Sequence, residues 1–175
     1  MQLNLYKQHF ADYFNSPFAG EQILAAVHLL NKKIKRIFFI GNGGSNAICS
    51  HMMEDYMKIG GYPTFSFSDP ALITCFANDY GYDNAMAEWL KLHFTENDLL
   101  VAISSSGESK NILNAVDFVK IKNGKIITLS GFKNNNSLSC RGDINFHINV
   151  ANYGIVECYH QVILHIILDS LNEYK

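Results

Sequence analysis

Short, uninterrupted apolar runs that stop at glycine- or serine-rich turns constrain this chain more than any other feature. Arg36-Ile37-Phe38-Phe39-Ile40 ends at Gly41-Asn42-Gly43-Gly44-Ser45, and Leu99-Leu100-Val101-Ala102-Ile103 ends at Ser104-Ser105-Ser106-Gly107. Apolar runs without polar alternation predict strands covered on both faces. After the first turn a helical stretch runs to about Ile59. Residues 64–67 read as a strand, and helix follows from about Pro70. Helix resumes at Ser109, strands follow over 125–129 and 144–150, and a long helix spans 153–173. Ahead of all this, 3–14 and 17–33 read as two helices. Ser16-Pro17 supplies an N-cap with proline at the first helical position, and Ile23, Val27, Leu30 and Ile34 form one apolar stripe.

Strands alternating with helices imply crossover connections and therefore a parallel sheet wrapped on both faces. The expected architecture is α/β, a doubly wound parallel sheet of about five strands. With 175 residues, no interdomain linker and no fixed-period repeat, one domain is expected. Residues 1–33 would be an N-terminal helical segment, and 34–175 the α/β core with its C-terminal helix.

Composition removes several classes of partner. The 48% apolar and 17% charged content is that of a folded globular chain rather than a disordered one. A net charge of −2 and only one small basic cluster, Lys32-Lys33 with Lys35-Arg36, argue against nucleic acid; the cluster reads as a solvated helix end. No run approaches the ~18 apolar residues of a membrane span. The polar start, MQLNLYKQHF, lacks a secretory apolar stretch. Cys49, Cys75, Cys140 and Cys158 have no metal-type spacing and read as small core residues rather than disulfide partners. A cytoplasmic location is the expectation.

The two turns carry the chemistry. In open α/β sheets ligands bind beyond the carboxyl ends of the strands, and a helix N-terminus there offers unpaired N–H groups to a phosphate. The first turn is neither a dinucleotide fingerprint, since Asn46 stands where the third glycine belongs, nor a Walker loop, which needs Gly-Lys-Ser/Thr. No nucleotide cofactor is expected, although Asp69 comes near the acidic position such a site would need. The second turn clusters hydroxyls, which donate to phosphate oxygens without adding charge. Plain N-capping is the alternative, but one serine would serve for that.

Farther along, His51 and Asp55 are four apart, which places them on one helical face with Cβ atoms ~5–6 Å apart. Glu157 and His165 are eight apart on the last helix, about 80° around its axis. Two imidazoles and two carboxylates suit a divalent ion, zinc above all. A surface helix pair at 51 and 55 and a satisfied core histidine at 165 are the bland alternatives. His160 lies about 140° from His165 and reads as facing elsewhere. His9, His28, His93 and His147 lack a supporting constellation.

The two turns, with His51, Asn78-Asp79 and the His165-bearing helix, resemble the sugar-isomerase (SIS) family, in order over about 37–171, and its phosphoheptose isomerase branch. The resemblance implies a single SIS domain, a sugar-phosphate substrate and a homotetramer with sites at subunit interfaces. Ser45, Ser104, Ser105, Ser106 and Ser109 would bind phosphate, and Asn42, Gly43, Asp79 and Glu157 the sugar. Asp55 and His165 would be the base and its acid/base partner, with His51, Asp55, Glu157 and His165 as the metal set. The reaction implied is sedoheptulose 7-phosphate to D-glycero-D-manno-heptose 7-phosphate, for surface polysaccharide precursors. The chain departs from that branch at Asp55, where Glu is usual, at Glu157, where Gln is usual, and at Glu108, where a small polar residue is usual. A non-catalytic phosphosugar-binding or partner-binding SIS protein is the alternative reading.

Overall fold

The computed structural model describes residues 2–32 and 34–173. In chain order the elements are α1 (Gln2–Phe14), α2 (Pro17–Leu30), β1 (Ile37–Ile40), α3 (Gly44–Lys58), β2 (Thr64–Ser66), α4 (Pro70–Tyr80), α5 (Tyr82–His93), β3 (Leu99–Ser104), α6 (Lys110–Ile121), β4 (Lys125–Gly131), β5 (Ile144–Ile148) and α7 (Tyr153–Glu173). The strands form one parallel sheet in the order β2-β1-β3-β4-β5.

The apolar runs are explained by burial on both sides. Successive strand residues face opposite ways. Ile37, Phe39, Leu99 and Val101 therefore join a core with α2, α3 and α7, while Phe38, Ile40, Leu100 and Ala102 join a second core with α5 and α6. Every residue of β1 and β3 is buried, so neither strand can carry a polar alternation. At the rim of the first core Phe10 of α1 stacks on the buried Tyr159 of α7, with centroids 4.3 Å apart.

Several local expectations change. The helix expected from Pro70 is two helices, because the chain turns at Gly81 between α4 and α5. Strand β5 stops at Ile148 rather than Val150, whose N–H turns back to the Ile148 carbonyl at 2.7 Å. Helix α2 closes at Leu30, and the expected helix end and segment boundary at Lys33 lie outside the described residues. Of the four cysteines only Cys49 is a core residue; the other three are exposed, and all are free thiols. The Ser16 cap is present, its hydroxyl accepting from the Ala19 N–H at 3.4 Å with Pro17 behind it.

The strand order decides where a ligand can sit. From β1 the sheet grows one way to β2, and from β3 it grows the other way to β4 and β5. The helices leaving β1 and β3 depart to opposite faces, so a crevice opens between the carboxyl ends of these two neighbours. Ile40 pairs with Ala102, which brings the glycine turn after β1 beside the serine turn after β3.

Candidate functional site

The two turns face each other across a cavity of about 160 Å³ lined by Asn42, Ser45, Ile103, Ser104, Ser105, Ser106, Ser109, Tyr153 and Glu157. Helices α3 and α6 both begin here. Neither has a side-chain cap at its N-terminus, whereas α2 and α4 are capped by Ser16 and Asp69. The Asn46 N–H of α3 turns to the Gly43 carbonyl and the Ile112 N–H of α6 to Asn111 Oδ1, both at 3.0 Å, but the earlier first-turn N–H groups and the positive dipole ends are left for an anion. None of the serines serves as the plain cap of α6. Ser109 stands at the N-cap, but its hydroxyl pairs with that of Ser104 at 3.1 Å. The Ser105 hydroxyl is buried with no protein partner on the cavity wall. A buried hydroxyl without a partner costs ~1–3 kcal/mol, a loss that a bound phosphate oxygen would recover.

Across the cavity Asn42 is fixed by three hydrogen bonds. It exchanges amide bonds with Asn111, each 2.9 Å, and accepts from the Tyr82 hydroxyl at 2.8 Å. Asn111 and Tyr82 were not singled out from the sequence. A signal for Asn111 existed, since it is the polar member of the buried α6 stripe with Ala115 and Val119. Tyr153, exposed at the rim, gave no such signal.

Glu157 projects from the second turn of α7 towards the start of α3. A Cβ added to Gly44 would stand 2.5 Å from Glu157 Oε1, so glycine at 44 makes room for this carboxylate. The α3 dipole favours an anion at that place. Glu157, expected in the metal set, is not among the residues of that set whose donor atoms cluster; it stands eight residues, about 12 Å of helical rise, before His165.

The other three residues of that set do come together, about two to three turns deeper between α3 and α7. Asp55 Oδ2 lies 3.1 Å from His51 Nε2 and 3.7 Å from His165 Nδ1, and the two rings meet edge-on with centroids 5.3 Å apart. One donor atom from each residue falls within 4.8 Å of the others, which fits a shared divalent ion after modest closure. Tyr56, fully buried, donates to the Leu164 carbonyl at 2.9 Å and fastens α3 to α7 beside the trio. Gln161 donates from Nε2 to His165 Nε2 at 2.9 Å, which leaves the proton of a neutral ring on Nδ1, facing Asp55.

Two further carboxylates lie off the cavity. Asp79 is exposed on α4, where it accepts from its neighbour Asn78 at 2.9 Å. Glu108 turns away from the serine turn and accepts from both the backbone and the hydroxyl of Ser137, at 2.8 and 2.7 Å. The Ser137 hydroxyl bond, then its N–H, with Lys133 and Arg141 nearby, holds the Glu108 carboxyl below its ordinary range. His160 is fully buried on the opposite side of α7, its Nε2 donating to the Ser130 carbonyl at 3.2 Å, and burial pushes its pKa down to about 4.

The SIS domain family matches residues 70–163. Phosphoheptose isomerase from Fusobacterium nucleatum is 33% identical over 144 residues, 79% of this chain and 74% of that protein. Its counterpart from Vibrio cholerae is 31% identical over 163 residues, 87% of this chain and 84% of the relative. The solved phosphoheptose isomerase from Francisella tularensis superposes with a TM-score of 0.86 at 25% identity, over 98% of this chain and 95% of that one. The chain belongs to the SIS domain family.

Proposed function

We propose that this protein is a phosphosugar aldose–ketose isomerase converting sedoheptulose 7-phosphate to D-glycero-D-manno-heptose 7-phosphate. The observation that carries the reading is the cavity between the uncapped N-termini of α3 and α6, with the unpartnered Ser105 hydroxyl on its wall and an Asp–His pair farther along α3 where it packs on α7. Relatives named phosphoheptose isomerase support the substrate class. The serine turn and the α6 N-terminus hold the phosphate; Asn42, Gly43 and Glu157 take sugar hydroxyls, with Asp79 a further candidate. Anchoring a remote phosphate fixes the reacting end of a flexible chain.

Isomerisation moves a hydrogen between adjacent carbons through an enediol. Asp55 takes the proton from C1 of the ketose and returns it to C2. His165 moves the compensating proton between the two oxygens, giving one up at Nδ1 and regaining one there. His51, Asp55 and His165 would also suit a divalent ion, zinc favoured, that would polarise the carbonyl oxygen; with it bound, Asp55 and His165 Nδ1 would be its ligands rather than the proton carriers. Asp55 reaches one methylene less far than the Glu of the branch. The protein acts in the cytoplasm as a homo-oligomer, tetrameric by family resemblance, and supplies surface polysaccharide precursors. No helix among the described residues is long and apolar enough to cross a membrane.

Incubation with sedoheptulose 7-phosphate, with and without zinc, followed by NMR of the aldose product, tests the reading. Asp55→Asn and His165→Gln should each lower turnover ~10²–10⁴-fold while sugar-phosphate binding persists. Saturable binding by the wild type without turnover would transfer the protein to the non-catalytic binding class.

A further inference from the structure

The serine turn is held from outside by the segment between β4 and β5. Asn136, 2% exposed, is the hub of that segment. Its Nδ2 donates to the Gly131 and Lys133 carbonyls at 2.9 and 3.0 Å, and its Oδ1 accepts from the Leu138 and Ser139 N–H groups at 3.1 and 2.9 Å. The Leu138 N–H is shared with the Gly107 carbonyl at 3.0 Å. Gly107, at φ 69, lies so close to Asn136 that any side chain there would collide with it. From the serine turn Glu108 reaches across to this segment through its paired bonds to Ser137. Arg141 holds Ser137 in place by donating from Nε to its carbonyl at 2.9 Å.

We propose that Glu108 is a positioning residue, clamping the serine turn to Ser137 so that the Ser104–Ser109 donors keep the spacing a phosphate needs. The proposal rests on the phosphate reading of this turn. It also accounts for a carboxylate beside a phosphate site: the charge is directed outward, into two donors, the N–H and the O–H of Ser137. Glu108 touches neither the cavity nor the reacting atoms, so its loss acts on binding and not on proton transfer.

The test is a cycle of Glu108→Ala, Ser137→Ala and the double variant in the full chain. Binding of sedoheptulose 7-phosphate and of inorganic phosphate is measured by calorimetry, with KM and kcat for the sugar phosphate. Ser137→Ala leaves the Glu108 charge in place, so its effect cannot come from altered repulsion of the phosphate. Each single variant should weaken phosphate binding and raise KM roughly threefold to tenfold, the worth of one hydrogen bond, with kcat unchanged. The double variant should be no worse than Glu108→Ala, since that substitution already removes the hydroxyl bond that Ser137→Ala removes. Amide exchange at Gly107 and Leu138 should quicken in all three. Undiminished phosphate affinity in both single variants, a fall in kcat at constant KM, or fully additive losses would overturn the clamp. A wild type that binds neither ligand would overturn the phosphate reading and the clamp with it, a result distinct from the first because the variants are then not needed to see it.

Discussion

Replacing Gly44 by Ala separates the stability of this fold from the geometry of its site. The new Cβ would stand 2.5 Å from Glu157 Oε1 and 2.7 Å from its carboxyl carbon. Carbon contacts settle near 3.5 Å, so the carboxylate must withdraw by roughly 1 Å. It is the free end of a flexible side chain, and the helix itself gains from alanine at up to ~1 kcal/mol. The folded state should therefore keep its Tm within ~4 °C for a chain of this length. Catalysis should suffer, because a ~1 Å displacement of a positioning group can cost ~100-fold. The expected result is a kcat/KM for sedoheptulose 7-phosphate reduced ~10- to 100-fold in a normally folded protein. The same change made in a Glu157→Ala background should cost nothing further, since the group it displaces is gone. Unchanged kcat/KM in Gly44→Ala would refute the role assigned to Glu157. A Tm lowered by ~10 °C or more would refute the claim that only a side-chain tip is disturbed.

Other expectations follow from the same geometry. Zinc titrated calorimetrically should bind the wild type, and His51→Gln, one of three ligands lost, should weaken it at least ~100-fold; equal affinity in the two would remove this trio as the metal site. Asp98, fully buried, takes a two-pronged bond from Arg36 at 3.0 and 2.6 Å and two more from Thr95 at 2.7 and 2.9 Å. Asp98→Ala should destabilise by about 2–4 kcal/mol in urea unfolding, reduced from a fully buried pair because Arg36 is part-exposed. A loss under ~1 kcal/mol would show that this cluster contributes little. His160 is neutral in the folded state with its pKa at about 4, against ~6.5 when unfolded. The unfolded chain therefore binds the extra proton first. Stability is intact above pH ~6.5 and falls as pH drops towards 4, by on the order of 3 kcal/mol across the window. His160→Gln should flatten that part of the stability curve, and a slope unchanged by the substitution would assign the loss to other groups.

Much of this molecule is legible in its sequence because the signals are local. An apolar run such as Ile37–Ile40 can only be a strand buried on both faces, and a turn of glycines or serines at its end can only precede a helix if the parallel sheet is to close. The spacing of His51 and Asp55 is likewise local, set by 3.6 residues per helical turn. Strand order is not local. Nothing within β1 or β3 says that they are neighbours, and it is their pairing that sets the glycine and serine turns face to face. The approach of His165 to Asp55 depends on how α3 packs against α7, which Tyr56 and Leu164 fix through the core. The same packing carries Glu157 to Gly44 at the start of α3, whereas His51, Asp55 and His165 cluster farther along; the helical spacing placed all four in one region a little over two turns long without assigning them partners. Residue chemistry and local period therefore sufficed for the elements and the candidate residues. The company those residues keep was decided by side chains packing across elements distant in sequence, an energy that no short stretch of the chain contains.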